Sequence, residues 1–435
     1  MKSKLRLVLV EPNGSGGLIH YTYQLCTALA NEGADVTLIT GREYELAHLP
    51  HNFRVDNLLD LWSLFDAQVT RQVDANTLQR IWHKIRWTVR RGIRAIRLIL
   101  AWERLTRRLL ELKPDIIQFS KINFPFEAIF LARLRRRGLI LTQICHEFEL
   151  RENHSGPFSA LILRAYADIY KNFSALFFHA KENRDKFLSL FPFVQDEKTH
   201  IIPHGNSSWL LRHFPQSYEW GLIRHHYGVK LGQPVVLFFG LLSPSKGIDD
   251  LIESFAIVRQ SCDAKLLIAG YPTKHMDMAA LKRKIAALGL AGHVVFDARY
   301  IPLEEVGALL GLATVAVYPY RSSTQSGALQ VAYTFGRPVV ATAVGGLPEA
   351  VEHGRSGFLV PAGAPEELAD KILKLVTNPE LAKVMGEYAR HLSETRFSWE
   401  TVARQIVRTY ERVLETDSTR PVAIRRMQPR SKLWK

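Results

Sequence analysis

Residues 318–360 read YPYRSSTQSGALQVAYTFGRPVVATAVGGLPEAVEHGRSGFLV, and this stretch decides the fold class. Ser326 and Gly327 open a helix that ends at Gly336, since glycine readily takes the left-handed conformation just past a helix. The apolar run at residues 339–341 is typical of a buried parallel strand. A helix start at the carboxyl ends of parallel strands is where open α/β sheets bind anions. The stretch therefore predicts either such a site or an ordinary strand–helix–strand crossover.

The pattern GRPVVAT-x-VGGLPE-x-V-x-x-G-x-x-GFLV in this stretch resembles the C-terminal signature of the family 4 glycosyltransferases. These are retaining enzymes of the GT-B fold, also described as group 1 glycosyl transferases. Members usually carry a glutamate near the donor sugar and, eight positions later, a second one that commonly holds the ribose. Here those positions hold Ser323 and Val331, so both carboxylates are missing. The nearest polar replacements are Gln325, Ser326 and Gln330.

The resemblance implies an α/β fold of the GT-B type, with two Rossmann-like domains whose parallel sheets face each other across a cleft. Residues 1–212 are expected to form the acceptor domain and residues 213–395 the nucleotide-sugar domain. Residues 396–416 are expected to form a helix that crosses back to the first domain, and residues 417–435 a basic, disordered tail.

Composition limits the classes of function. The chain has 435 residues, 47% of them hydrophobic, and a net charge of +15. Such a charge predicts an acidic partner, namely anionic lipid, nucleic acid or a phosphorylated substrate. The three cysteines are far apart, which argues for a reducing compartment and against a disulfide framework or a zinc site. Because no apolar run suits a signal peptide or a membrane span, a cytoplasmic protein is expected.

The N-terminal segment predicts a strand at residues 5–10, a glycine-rich loop and a helix. The loop, EPNGSGG, lacks the full GxGxxG fingerprint, and a tight turn that requires glycine is the alternative interpretation. The resemblance implies that Gly16 and Gly17 pack against the donor. His20, in the first turn of the helix, is interpreted as structural.

Two histidines follow predicted strands. His146 comes directly after the strand at residues 139–145, which aims it at the ligand edge of the sheet. An ordinary loop histidine is the alternative, but the resemblance makes His146 a catalytic candidate that touches the donor sugar. Glu147 and Glu149 are interpreted as a solvated loop rather than acceptor contacts. His204 replaces the asparagine of a family turn and is interpreted as structural.

Lys246 is the predicted leaving-group residue. In GLLSPSKG, Gly240 and Lys246 match the family pattern, whereas Leu241 replaces the usual arginine. A lysine at a helix start neutralises a diphosphate together with the helix dipole; a solvated surface lysine is the alternative. Arg321 is a candidate for a further phosphate contact, with Arg299 as an alternative. The predicted donor-binding set is Gly16, Gly17, Gly240, Lys246, Gln325, Ser326, Gly327 and Glu349.

Residues 76–113 predict a long, strongly basic amphipathic helix that Gly92 interrupts in one interpretation. Apolar residues recur at three- and four-residue spacing: Trp82, Ile85, Val89, Ile93, Ile96 and Leu100. Arginines recur on a different face, and those predicted to bind a membrane are Arg86, Arg90, Arg94 and Arg97. Such a helix can lie among lipid headgroups with its arginines on anionic lipid. The alternative is a helix packed on its own domain with a solvated basic face.

The sequence thus predicts a retaining glycosyltransferase that moves a sugar from a nucleotide-sugar to a hydroxyl. The acceptor is expected to be a lipid-linked or polysaccharide precursor at the inner face of the cytoplasmic membrane. UDP and GDP donors are both open, and no cofactor, metal or nucleic acid is expected. One rival is a catalytically weak binding protein, because the family glutamates are missing. The other is a nucleic-acid-binding protein, favoured only by the charge.

Overall fold

The computed structural model describes residues 4–59, 77–122, 124–148, 159–214 and 220–417. Its residues group into two compact units. The first unit contains the described residues up to Phe178, Lys186–His200 and those from Ala403 onward. The second unit contains His179–Asp185 and Ile201–Val402.

A seven-stranded sheet forms the centre of the first unit. Its strands are β1 (Arg6–Glu11), β2 (Asp35–Gly41), β3 (Arg54–Leu59), β4 (Ile116–Phe119), β5 (Ile140–Ile144), β6 (Ala175–Phe178) and β7 (Thr199–Ile201). They lie in the order β3-β2-β1-β4-β5-β6-β7, and the recorded pairings from β3 to β6 are parallel. Central strands such as β4 and β5 are buried throughout, as expected for apolar runs covered by helices on both faces.

Within the described ranges, five helices follow strands of this sheet. They are α1 (Gly17–Asn31), α2 (Thr77–Leu112), α3 (Glu127–Arg136), α4 (Ser159–Tyr170) and α5 (Lys181–Leu190). A short 3-10 turn at Asp196–Lys198 precedes β7. Aromatic rings pack the helices on the sheet in the core of this unit. Trp102 of α2 stacks on Phe119 of β4, with ring centroids 6.0 Å apart, and on Phe130 of α3, with centroids 5.6 Å apart.

Helix α2 is continuous from Thr77 to Leu112, so the predicted interruption at Gly92 is wrong. The face that packs on the core consists of Leu98, Ala101, Trp102, Leu105 and Leu109. Ile93, Ile96, Ile99 and Leu100 lie on the opposite face, with between 47% and 60% of each residue exposed. The described part of α2 therefore has two apolar faces, of which one is open to solvent.

A six-stranded sheet forms the centre of the second unit. Its strands are β8 (Val235–Phe239), β9 (Lys265–Ala269), β10 (Val294–Asp297), β11 (Val315–Tyr318), β12 (Val339–Thr342) and β13 (Gly357–Val360). The order is β10-β9-β8-β11-β12-β13, with every neighbouring pair parallel. Phe238 and Tyr318 are completely buried in this sheet.

The remaining helices surround the second sheet or follow it. They are α6 (Ser208–His213), α7 (Trp220–His226), α8 (Ile248–Ser261), α9 (Met278–Ala287), α10 (Leu303–Leu312), α11 (Gly327–Thr334), α12 (Leu347–Ala350), α13 (Pro365–Val376), α14 (Pro379–Glu394) and α15 (Trp399–Thr416). A 3-10 turn, Pro244–Lys246, precedes α8. From Ala403 onward α15 belongs to the first unit, where the Tyr410 hydroxyl donates to Gln118 of β4 at 2.7 Å. The predicted return of the last helix is confirmed.

Each sheet has one point where the strand order reverses direction. In the first sheet it lies between β1 and β4, and in the second between β8 and β11. Loops diverge above such a point, so ligands of open α/β sheets bind there, at the carboxyl ends of the strands. The architecture therefore offers two positions for a site, one in each unit.

Candidate active site

In the second unit the end of β8 lies against the first turn of α11. Gly240, directly after β8, has a φ of 140°, which strongly favours glycine. A Cβ atom on Gly240 would lie 3.4 Å from the Cβ atom of Ala328. The predicted donor-binding residues Gly240 and Gly327 are thus near neighbours at the strand-order reversal.

Helix α11 begins as predicted. The Ser326 hydroxyl accepts a hydrogen bond from the amide of Leu329 at 3.2 Å, and Gly327 is exposed. The side-chain oxygen of Gln325 accepts from the Ser326 amide at 2.8 Å. Gln325 therefore serves the local turn in this structure, while the positive end of the helix dipole is presented at Gly327.

Lys246 lies at the same edge. Its Nζ atom is 3.5 Å from the centroid of the Tyr320 ring, and the Tyr320 hydroxyl is 3.0 Å from Ser326 Oγ. Burial raises the pKa of Tyr320 to about 12, which keeps this hydroxyl neutral. The arrangement brings an ammonium group, an aromatic ring and the start of α11 together. Sequence reasoning missed Tyr320, although its place between β11 and α11 was a usable signal.

The loops that carry these groups pack tightly on each other. Gly247 has a φ of 60°, and a Cβ atom there would lie 1.9 Å from the carbonyl oxygen of Pro319. Only glycine permits this approach, which holds the Lys246 turn against the loop after β11.

The two arginines proposed to replace the family arginine are already paired. Arg321 binds Asp249 at 2.5 Å and Asp250 at 2.7 Å. Arg299 binds Asp297 and also Glu305. These ion pairs offset the charge of both guanidinium groups, and a phosphate contact by either arginine stays a prediction.

Glu349 and the double glycine contact the unit's own backbone. The Glu349 carboxylate accepts from the amide of Lys181 at 2.6 Å, at the start of α5. A Cβ atom on Gly345 would lie 1.6 Å from the carbonyl oxygen of Ser323, and one on Gly346 would lie 2.6 Å from that of Thr324. Protein backbone therefore fills the space beside both glycines, so a side chain is excluded at either position.

His204, interpreted from sequence as a turn residue, lies beside α11. Its Nε2 atom is 3.7 Å from the position that a Cβ atom on Gly327 would take. Its Nδ1 atom lies 2.9 Å from the carbonyl oxygen of Gly205. Burial lowers the pKa of His204 to about 4, so its ring is neutral near neutral pH.

The strand-order reversal in the first unit holds a buried carboxyl group. Glu11, the last residue of β1, is fully buried and accepts from the Asn13 amide at 2.8 Å and from the Ser120 hydroxyl. Burial raises the pKa of Glu11 to about 7. Through its hydrogen bond to Asn13, this carboxyl group holds the start of the glycine-rich loop in place. The sequence analysis assigned Glu11 no role.

His146 follows β5 near the same edge, as predicted. Its ring packs edge-on against Tyr21 of α1, with centroids 4.7 Å apart. Together with Ser120 and Gln118 these residues line a cavity of about 10 Å³, the size of one water molecule. The predicted contact of His146 with a sugar stays a prediction.

The glycine-rich loop is tied to Glu45. The Gly16 amide donates to Glu45 Oε2 at 3.0 Å, and His20 Nε2 is 3.1 Å from the same oxygen. A Cβ atom on Gly14 would lie 1.9 Å from Glu43 O, whereas one on Gly17 would contact nothing within 4 Å. Gly14 is thus required by packing, Gly17 faces open space, and a carboxylate already occupies the start of α1.

Two further sets of predicted residues can be located only in part. Arg94 and Arg97 are exposed on α2, whereas the side chains of Arg86 and Arg90 lie outside the described residues, as does the tail beyond residue 417. Within the described ranges, no group of three or more histidine, cysteine, aspartate and glutamate side chains is arranged to hold a metal ion. No described helix has the length and apolarity needed to cross a bilayer.

Two family models match the chain. The model described as Glycosyltransferase Family 4 matches residues 15–206, and the model described as Glycosyl transferases group 1 matches residues 233–378. Together they cover most of both units.

Individual proteins match over shorter stretches. An uncharacterised glycosyltransferase of Methanocaldococcus jannaschii is 33% identical over 40% of this chain and 47% of its own length. The GDP-mannose-dependent alpha-(1-6)-phosphatidylinositol monomannoside mannosyltransferase of Mycolicibacterium smegmatis is 31% identical over 52% of this chain and 58% of its own length. The chain spans about half the length of these curated relatives. The crystal structure of Anabaena HepE with UDP aligns at a TM-score of 0.67 and 20% identity, covering 94% of this chain and 100% of that chain.

Proposed function

Because the chain belongs to glycosyltransferase family 4, we propose that it transfers a sugar from a nucleotide-sugar to a hydroxyl acceptor, with retention at the anomeric carbon. The bond between the anomeric carbon and the diphosphate breaks, and a bond to the acceptor oxygen forms. A phosphate oxygen of the leaving group takes the acceptor proton. The protein then has to stabilise negative charge on the departing diphosphate.

The arrangement of Lys246, Tyr320 and the start of α11 carries this proposal. The Lys246 ammonium lies 3.5 Å from the centroid of the Tyr320 ring. The Tyr320 hydroxyl is hydrogen-bonded to the hydroxyl of Ser326, the residue directly before the exposed Gly327. An ammonium group and a helix N-terminus both attract phosphate, and here they share one edge of the sheet. The UDP in the crystal structure of HepE supports a nucleoside diphosphate as the ligand.

A thermal-shift screen against UDP- and GDP-sugars tests this proposal. The matching donor at one hundred times its dissociation constant should stabilise the protein by about 2.7 kcal/mol. Lys246→Met removes the ammonium and should reduce turnover by about two to three orders of magnitude, as losing one transition-state contact does. Lys383→Met, at an exposed lysine on α14, is the control and should leave turnover unchanged. Unchanged turnover in the Lys246 variant would remove this residue from the mechanism.

We further propose that α2 attaches the enzyme to an anionic membrane. Ile93, Ile96, Ile99 and Leu100 form an exposed apolar stripe, and exposed Arg94 and Arg97 lie on the same described segment. A helix with an apolar stripe and neighbouring arginines lies in the lipid interface, where each cation contributes about 1 kcal/mol. The lipid named in the Mycolicibacterium relative supports a lipid-linked acceptor, which we assign to the inner face of the cytoplasmic membrane.

A weakly catalytic binding protein is the second candidate. Ser323 and Val331 stand where the family has carboxylates, and the Arg321 guanidinium is neutralised by Asp249 and Asp250. An assay of sugar transfer and donor hydrolysis in detergent-solubilised lipid extract separates the two. Donor binding without either reaction would favour this candidate over the enzyme.

A further inference from the structure

Glu11 and Ser120 meet at the strand-order reversal of the first unit, and the proposed reaction uses neither of them. Both side chains are buried. The Ser120 hydroxyl lies 3.0 Å from the Val10 carbonyl oxygen and is also in close hydrogen-bond contact with Glu11 Oε2. Glu11 Oε1 accepts from the Asn13 amide at 2.8 Å. This buried network joins β1 and β4 to the start of the glycine-rich loop.

The number of protons in this network depends on the state of Glu11. A serine hydroxyl has one proton, and a carbonyl oxygen only accepts hydrogen bonds. If Ser120 donates to Val10, its oxygen faces Glu11 Oε2 as an acceptor, so the carboxyl group has to supply the second proton. If Glu11 is ionised, Ser120 donates to it, and the hydrogen bond from the hydroxyl to Val10 is lost. The neutral carboxyl group therefore makes every contact of the network a hydrogen bond.

Ionisation of Glu11 would act on the glycine-rich loop. A buried anion is costly unless donors or water reach it. Strand β4 and the end of β1 are buried, whereas Asn13, Ser15 and Gly16 of the loop are only half-buried. Water can therefore reach the Glu11 carboxylate most easily from the side of the loop, by loosening it.

Other groups near this network also carry charge or titrate. They are Lys121 after β4, Tyr21 of α1, His146 and Glu147 after β5, and Glu43 and Glu45 after β2. The Lys121 ammonium favours the charged form of Glu11 and lies 3.4 Å from Glu147. Burial raises the pKa of Tyr21 far above neutral, so of the two titratable rings beside Ser120, His146 is the one to separate from Glu11.

We propose that Glu11 is a proton-controlled positioning residue: as a neutral acid it donates to Ser120 and holds the glycine-rich loop in place, and as an anion it loosens the loop. Because burial raises the pKa of Glu11 to about 7, both states are populated near neutral pH. Sugar transfer should then decline as pH rises through this range. That last consequence rests on the proposed function, whereas the proton and the loop can be observed without it.

Infrared difference spectroscopy tests the proton directly. The carbonyl stretch of a neutral carboxyl group should fade between about pH 6 and about pH 8 in the wild type and be absent in Glu11→Gln. Lys121→Met should shift the midpoint to higher pH, because it removes a charge that favours the anion. Lys171→Met, at an exposed lysine directly after α4, is the matched control and should leave the midpoint unchanged. His146→Gln should keep the signal. If the wild type shows no carboxyl signal that Glu11→Gln removes, the inference is overturned.

Hydrogen exchange and kinetics test the loop. Glu11→Gln mimics the neutral acid, since its amide donates to Ser120 while its oxygen accepts from Asn13. After correction for intrinsic rates, wild-type exchange in peptides covering residues 11–17 should quicken about ten-fold between about pH 6 and about pH 8, as the ionised fraction does. It should stay constant in Glu11→Gln and in peptides covering residues 339–342.

The kcat/KM of the wild type relative to Glu11→Gln should fall over the same range. If Glu11→Gln does not fold, Lys121→Met should shift the pH of the loop transition upward. Loop exchange that does not depend on pH in the wild type, or that depends on it equally in the Glu11 variant, overturns the inference. A pH-dependent loop in a protein that transfers no sugar supports the inference and refutes the proposed function.

Discussion

At the scale of single residues, Glu11 shows how position changes the chemistry of a carboxyl group. It ends β1 at the strand-order reversal, where it is fully buried and holds both the Asn13 amide and the Ser120 hydroxyl. Burial disfavours its charged form and raises its pKa to about 7. Between the ordinary pKa of about 4.5 and about 7, the folded protein therefore holds a proton that the unfolded chain has released.

This proton makes stability depend on pH. Because the native state binds more protons than the unfolded state in that window, the free energy of unfolding falls as pH rises from about 4.5 to about 7. Glu11→Gln keeps a carbonyl acceptor for Asn13 and cannot ionise, so its stability should depend less on pH. When the pH is raised from acidic values to 8, the free energy of unfolding of the variant should rise by roughly 2–3 kcal/mol relative to that of the wild type. Urea unfolding measures both.

The control is Glu43→Gln, which removes an exposed carboxylate from the neighbouring loop and should keep the wild-type slope. Equal pH slopes in the wild type and the Glu11 variant would contradict a raised pKa at this position.

The sequence nominated Lys246 through its match to the family motif and Arg321 as a replacement for the missing arginine, and their contacts differ. Lys246 lies over Tyr320 at the start of α11, whereas Arg321 is paired with Asp250, a residue 71 positions away along the chain. The motif spacing predicted the position of Lys246 because that position depends on local backbone, while its role toward a leaving group stays a prediction. The partners of Arg321 belong to another part of the chain, so a local sequence pattern does not predict them. The same holds for the carbonyl group that lies against Gly345.

At the scale of secondary-structure elements, the sequence predicted that α2 is a helix but not which of its faces packs on the core. Three- and four-residue periodicity predicted a helix, and the helix is present from Thr77 to Leu112. The periodicity contains two apolar stripes, and a sequence does not say which of them meets the core. The structure buries the stripe of Trp102 and Leu105 and exposes that of Ile96 and Leu100.

The exposed stripe leads to a vesicle-binding prediction. Wild-type protein should sediment with phosphatidylglycerol vesicles and only weakly with phosphatidylcholine vesicles, because arginines and apolar side chains act together. Ile96→Gln combined with Leu100→Gln should weaken binding at least ten-fold without lowering the melting temperature, since both residues are exposed.

Val384→Gln is the matched control, because Val384 is 52% exposed but lies on α14 of the second unit. It should bind vesicles as the wild type does. Equal binding by the stripe variant and the control, or no binding by the wild type, would refute the membrane role of α2.

At the scale of the whole molecule, two units repeat one architecture but differ in charge where their strand order reverses. The family resemblance implied both parallel sheets, and the structure and the family models confirm this fold. At the start of α11 Ser326 contacts Tyr320, whose ring carries the Lys246 ammonium, whereas the start of α1 is occupied by the Glu45 carboxylate. That difference escaped prediction, because Glu45 lies 29 residues from Gly16 in the chain.

Hydrogen exchange tests which unit receives the anion. Saturating the protein with the nucleoside diphosphate that it binds should slow exchange in peptides covering residues 240–247 and 326–329. Peptides covering residues 14–17 should change little, since Glu45 already holds the Gly16 amide. The reverse pattern would assign the diphosphate to the first unit and contradict the proposed site.

The contact between Lys246 and Tyr320 affects the conformational entropy that is lost when a ligand binds. A lysine side chain normally samples many rotamers, and binding a ligand must freeze them. Here the aromatic face holds the ammonium 3.5 Å from the ring centroid before any substrate arrives. An incoming phosphate would meet a preorganised charge, so the entropy of immobilising this side chain is lost during folding and not during each catalytic cycle.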